Sequence, residues 1–191
     1  MKVIDKAQKS KDSVVLFLDP MHQIHNNEND YAWQFKGKDG TKQVLANTGR
    51  RRLNIVGAIN AISFEPSILL LEGTCGQEVI IEFFYQIRRQ YAHVRKIIIF
   101  LDNTSYNRAY NVQDKAKELG IQLVYLPPYS PNLNLIERLW KFFKKKIMKN
   151  KYYPTFELFY QQVERFFIHF DSFESELTSL LTHKFEIIKA G

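Results

Sequence analysis

The sequence predicts an α/β fold: a mixed five-stranded sheet flanked by helices, with a helical addition at its C-terminal side. Three observations carry this. Five short runs rich in β-branched and aromatic residues have strand length, namely SVVLFL (13–18), RLNIVGAINAI (52–62), SILLL (67–71), KIIIFL (96–101) and IQLVYL (121–126). The link between the second and third is a short corner holding Glu65-Pro66, which suggests an antiparallel pair. From residue 96 to 148 strand and helix signals alternate β-α-β-α, which implies a parallel pair joined by a helical crossover. Pattern alone does not give the strand order.

Taken in order, residues 1–12 are polar and charged and read as a leader or remnant linker. Residues 13–150 read as the main domain, and 151–191 as a helical extension packed on it. The first strand ends at Asp19, followed by Pro20. The polar stretch 20–52, broken by Gly37, Gly40 and Gly49, is too long for an ordinary connection, so it is a hairpin excursion or a functional loop with short strands near 31–35 and 42–45. Thr74 to Gln77 has capping-box spacing, and the helix it opens carries Val79, Ile80, Phe83, Phe84, Ile87 and Tyr91 at helical intervals. A helix over roughly 107–119 sets Ala109, Val112, Ala116 and Leu119 on one face, with Gly120 as its C-cap glycine. The last strand runs into Pro127-Pro128 and the turn Tyr129-Ser130-Pro131-Asn132, a rigid lead into the next helix. Phe156, Phe159, Val163, Phe166 and Phe170 form one stripe of a core helix, with a dimer contact as the second reading, and a final helix spans about 173–188.

The chain has 191 residues and a net charge of +7, a balance that points to a polyanion such as nucleic acid. One cysteine, Cys75, excludes an internal disulfide framework and a Cys-based zinc site. The stretch MKVIDKAQKSKD (1–12) lacks the apolar core of a signal peptide and no apolar run approaches the ~20 residues that span a bilayer, so a cytoplasmic location without membrane contact is expected.

Three carboxylates stand at structured positions. Asp19 and Asp102 each follow a buried strand, and acidic residues are poor guests there. Either one alone reads best as a turn-capping aspartate. Both together, with Glu137 one turn into a helix behind a rigid turn, favour a functional reading. Leu133, Ile136, Trp140, Phe143 and Ile147 form the helix's apolar sector, and Glu137 falls on its border, facing the sheet. The plain alternative is an exposed pair with Lys141. Three bare carboxylates repel one another. Two magnesium ions, which need few protein oxygens, would join them and serve an in-line displacement at phosphorus.

These residues carry a resemblance. SPNLNLIERLWKFFKKK (130–146), FLDNTSYNRA (100–109), FLDPMH (17–22) and GRRRLNIVGAINAI (49–62) resemble the DDE-superfamily transposases of bacterial insertion sequences, most closely the mariner-related insertion-sequence 630 family, over roughly residues 13 to 150. Between Asp102 and Glu137 lie 34 residues (103 to 136), the family's typical interval. The resemblance implies an RNase H-like fold with Asp19, Asp102 and Glu137 as catalytic and metal-binding residues. It also implies two magnesium or manganese ions, hydrolysis at transposon ends, and attack of the freed 3′-hydroxyl on target DNA, generally at TA-containing sites. Many relatives carry a histidine shortly after the second aspartate, where this chain reads Asn103-Thr104-Ser105-Tyr106-Asn107. Relatives also carry helix-turn-helix domains upstream, so an upstream-frame DNA-binding partner or domain is expected, as is a dimer on DNA.

Asp19, His22 and His25 form D-x-x-H-x-x-H without the geometry of a zinc site, and the histidines read as exposed or locally bonded. Arg50, Arg51 and Arg52, with Lys141, Lys144, Lys145 and Lys146, are candidate phosphate contacts. A solvated face is the alternative for each run. Trp33 reads as packing and Glu72 as ordinary. Two other functions stay open: an RNase H-like nuclease without transposition, and a transposase-derived DNA-binding protein that no longer cleaves.

Overall fold

The computed structural model describes residues 12–26, 45, 49–127 and 134–181. Five strands, β1 (Ser13–Ile24), β2 (Arg52–Asn60), β3 (Pro66–Leu71), β4 (Lys96–Leu101) and β5 (Ile121–Tyr125), form one sheet in the order β3-β2-β1-β4-β5. The β3-β2-β1 half is antiparallel and the β1-β4-β5 half parallel, the mixed RNase H-like arrangement expected. Among the described residues five α-helices accompany the strands: α1 (Gln77–Gln90), α2 (Tyr110–Glu118), α3 (Leu135–Phe143), α4 (Phe156–Ile168) and α5 (Glu174–Leu180). A π-helical turn, Lys144–Met148, extends α3, and a 3-10 turn, Phe170–Phe173, precedes α5.

The sheet is buried on both faces, and strand alternation sorts its side chains into two cores. On one face Val14, Leu16 and Leu18 of β1 and Ile97, Ile99 and Leu101 of β4 pack under α1 and α2. On the other, Val15, Phe17 and Met21 of β1 with Leu53, Ile55 and Ile59 of β2 pack under α3, α4 and α5. The phenylalanine stripe of α4 is therefore core: Phe156, Phe159, Val163 and Phe166 are buried, as is Phe170 beyond the helix end. Gly120 ends α2 at φ +68°, the left-handed conformation a glycine adopts without steric cost.

The elements differ from expectation in three places. β1 does not stop at Asp19 but runs through Pro20 to Ile24, paired with β2 to its end. The parallel ladder with β4 ends at Phe17, so Pro20, which has no N–H, lies where β1 has already lost a partner on that side. The capping box at Thr74 does not form: α1 starts from Gly76 in extended geometry with no side-chain cap. The last helix, expected over 173–188, is α5, Glu174–Leu180, and positions beyond 181 lie outside the described residues. The strand expected near 31–35, positions 42–44 of the one expected near 42–45, Trp33, the turn at 129–132 and Leu133 also lie outside them, and Leu45 is exposed and in no strand. Among the described residues no helix is long and apolar enough to cross a membrane.

Candidate active site

Strand register brings two of the three carboxylates to one face. Phe17 of β1 stands opposite Phe100 of β4, and their rings stack with centroids 5.1 Å apart. Asp19 and Asp102 each lie two residues past that pair, so alternation turns both toward the side covered by α3. Asp102 is held by its own loop. Its Oδ1 accepts from the Thr104 backbone N–H at 3.3 Å, the Thr104 hydroxyl at 3.0 Å and Asn107 Nδ2 at 2.7 Å. Asn107 is fully buried, and its carbonyl accepts from the Tyr125 hydroxyl at the end of β5, 2.9 Å away. Three donors on one oxygen fix the carboxylate's direction and leave Oδ2 outside that network.

Helix α3 supplies the third acid. Its N-cap, Asn134, is buried and gives no side-chain cap; instead Nδ2 points to the Leu18 carbonyl at 3.4 Å, pinning the helix start beside β1. Glu137 follows in the first turn, where the helix N-terminus favours a negative charge, and it is half-buried at the border of the apolar face as expected. One turn further, the Trp140 indole N–H donates to Asp19 Oδ2 at 3.1 Å. Gly57 of β2 stands opposite Asp19. A Cβ there would meet Trp140 Cη2 at 2.5 Å and Cζ2 at 2.7 Å, so only glycine lets the indole lie so close to the strand.

Electrostatics ties the three acids together. The Asp19 carboxyl is raised from 3.8 to about 7, by burial first, then by the negative charges of Glu137 and Asp102, with the Trp140 hydrogen bond partly offsetting them. No cation is among the groups acting on it. Tyr106, in the loop after Asp102, is also pushed up, chiefly by burial, and it feels the charges of Asp102 and Asp19. The hard oxygens of Asp19, on which no cation acts among the described residues, fit a divalent ion chemically. Among the described residues no three His, Cys, Asp or Glu side chains are grouped tightly enough to hold a metal alone. A magnesium ion that keeps several waters and draws on substrate phosphate needs no such cage.

A sequence model of the DDE superfamily endonuclease family matches residues 14–159. The chain belongs to the DDE superfamily of endonucleases. No curated protein matches it by sequence. Among solved structures this DDE chain is similar to the Mos1 mariner transposase. The paired-end complex with Mn aligns with a TM-score of 0.69 and 14% identity, covering 94% of this chain and 56% of that one. The paired-end complex with the left transposon end gives 0.67 and 14%, covering 97% and 60%. The isolated Mos1 catalytic domain gives 0.63 and 12%, covering 94% and 83%. At such identities the likeness shows the fold, and this chain spans under two thirds of the transposase chains in the paired-end complexes.

The remaining sequence-predicted residues of this DDE chain are distributed as follows. His22 is exposed and hydrogen-bonds through Nδ1 to Asn54, its partner across β1–β2, on the opposite face from Asp19. His25 is neither exposed nor bonded locally: it is buried, its Nε2 lies 2.8 Å from the Tyr153 carbonyl, and its ring stacks on Phe159. Arg51 is occupied by Glu72 at 2.8 Å and Glu157 at 2.6 Å, with its guanidinium 3.9 Å over the Phe156 ring. Lys146 pairs with Glu176 at 2.8 Å. Arg50, Arg52, Lys141, Lys144 and Lys145 are exposed. Sequence reasoning passed over Thr104, Asn107, Asn134, Gly57 and the indole N–H of Trp140. Two of these had legible signals: Asp-Asn-Thr after a strand is an Asx-turn pattern, and a glycine inside a strand marks close approach.

Proposed function

We propose that this chain is the catalytic domain of a transposase of the mariner-related insertion-sequence 630 group. It cleaves DNA strands at transposon ends and joins the freed 3′-hydroxyl to target DNA. The observation that carries this is the coupling of Asp19 to Glu137 and Asp102, three acids drawn from β1, α3 and the end of β4, in a chain of the DDE superfamily. Asp19, Asp102 and Glu137 would hold two magnesium or manganese ions, which would activate the attacking oxygen and stabilise the leaving one. The Mos1 complexes with Mn and with Mg support that choice, and the Mos1 complex with a transposon end supports DNA as the substrate. Within this chain, Thr104 and Asn107 orient Asp102, and Asn134 sets α3 against β1. Recognition of specific ends falls to an upstream DNA-binding domain or partner, and the active form is a dimer holding two ends.

The test is Asp102→Asn. Cleavage of DNA carrying the element's ends in magnesium falls below detection, while the circular dichroism spectrum and non-specific DNA binding stay as in the wild type. Undiminished cleavage by that variant would overturn the assignment.

A further inference from the structure

We infer that Trp140 is a positioning residue for the metal site, acting through Asp19, and that Gly57 exists in β2 to admit it. The inference rests on the proposed metal role of Asp19. Asp19 has two carboxylate oxygens, and among the described residues no cation acts on it. One of them, Oδ2, is committed to the Trp140 N–H at 3.1 Å, which leaves Oδ1 as the oxygen free of the indole. A donor on one oxygen fixes the rotation of the carboxylate about its Cβ–Cγ bond, so the other oxygen meets an ion in one orientation. The indole itself is held by packing: Trp140 is almost fully buried, and its six-membered ring lies against the bare backbone of Gly57, directly across the ladder from Asp19. Trp140 and Glu137 are three residues apart on α3, one helical turn. The same turn thus places one acid and steers another, and a shift of α3 would disturb both together.

An indole in an apolar stripe has an ordinary explanation, core packing, and the test must separate the N–H from the ring. Replacing Trp140 with benzothienylalanine keeps the bicyclic shape and puts sulfur in place of N–H. Trp140→Phe removes the N–H and withdraws ring volume from above Gly57. Mn2+ affinity is read on the whole chain by titration calorimetry and by the paramagnetic signal of free Mn2+, beside the thermal midpoint. Both replacements weaken Mn2+ binding by about tenfold or more, the scale seen when a partner of a metal ligand is removed. The benzothienylalanine protein keeps its midpoint, which a purely structural tryptophan would also do, but only a positioning role loses metal affinity with it. Gly57→Ala, which drives the ring off the strand, weakens Mn2+ binding likewise although it removes no polar group. Wild-type affinity in the benzothienylalanine protein, alongside loss of binding in Asp19→Asn, would overturn the positioning role and leave the metal site standing. Wild-type affinity in Asp19→Asn would overturn the metal site and this inference with it.

Discussion

A carboxylate half-buried beside two others gives up its proton late, and Asp19 does so at about 7 where 3.8 is ordinary. The sign of the consequence follows from linkage. Below 3.8 the group is protonated in both folded and unfolded chains and adds no penalty. Between 3.8 and about 7 the unfolded chain ionises while the folded chain holds its proton, so stability drains away as pH rises; above 7 the loss is complete. Asp19→Asn removes that loss and keeps an oxygen for the Trp140 N–H. In metal-free buffer at pH 8 it should melt roughly 5 °C above the wild type, the shift expected for a couple of kcal/mol in a domain of this size. The advantage should vanish as pH falls toward 4. Mn2+ should reverse the order, because only the wild type gains from binding. Equal melting at pH 8 without metal would show that neither burial nor the neighbouring acids hold the proton on Asp19. Asp19 and Asp102 stood out in the sequence because acids sit badly at buried strand ends, and Glu137 because it borders the apolar stripe of a helix that follows a rigid turn. The extent of β1 was not, since Pro20 forbids a ladder bond on one side alone, and which side that is depends on where β4 stops.

At the scale of elements, α3 carries the third acid, and what backs α3 decides how firmly that acid is placed. The backing is aromatic. Phe166 of α4 meets Phe143 edge-on at 5.4 Å and Phe142 at 6.1 Å, and also touches Phe167, Phe170 and Phe173. Phe166→Ala should lower unfolding free energy in urea by about 3–5 kcal/mol, the range for deleting a buried phenylalanine. Cleavage should fall as well, since α3 then rests on a cavity. A variant that loses the stability and keeps full cleavage would show that α3 is held from the sheet side alone. The α4 stripe was readable because five apolar residues recur at helical spacing. The start of α1 was misread for a local reason: Thr74 to Gln77 has the letters of a capping box, but the chain enters the helix from Gly76 at φ −133°, and Thr74 is not the N-cap. Asn134 shows the converse, a residue of cap type that bonds to β1 instead.

For the whole molecule, the sheet order could not be read from the sequence, because β1 pairs with β4 across more than seventy intervening positions and no local pattern reports that register. Charge, by contrast, is a global quantity that the sequence gives directly, at +7, and its distribution over the fold makes a test. Affinity for non-specific duplex DNA should fall with salt, with a slope set by the number of phosphates the protein neutralises. Lys144 and Lys145 are exposed on the turn that continues α3, the helix that carries Glu137, so each alanine substitution should lower that slope by about one. Lys146 of the same run already faces Glu176, and Arg51, in the arginine run 50–52, faces Glu72 and Glu157. Arg51→Ala and Lys146→Ala should therefore change the slope far less, because a cation that stays paired with a carboxylate of the fold neutralises no phosphate. Fluorescence anisotropy on a labelled duplex across a potassium chloride series measures all four. Equal slope changes for the four variants would mean that the ion pairs open on DNA, and that the basic runs act as undivided patches instead of two lysines selected by the fold.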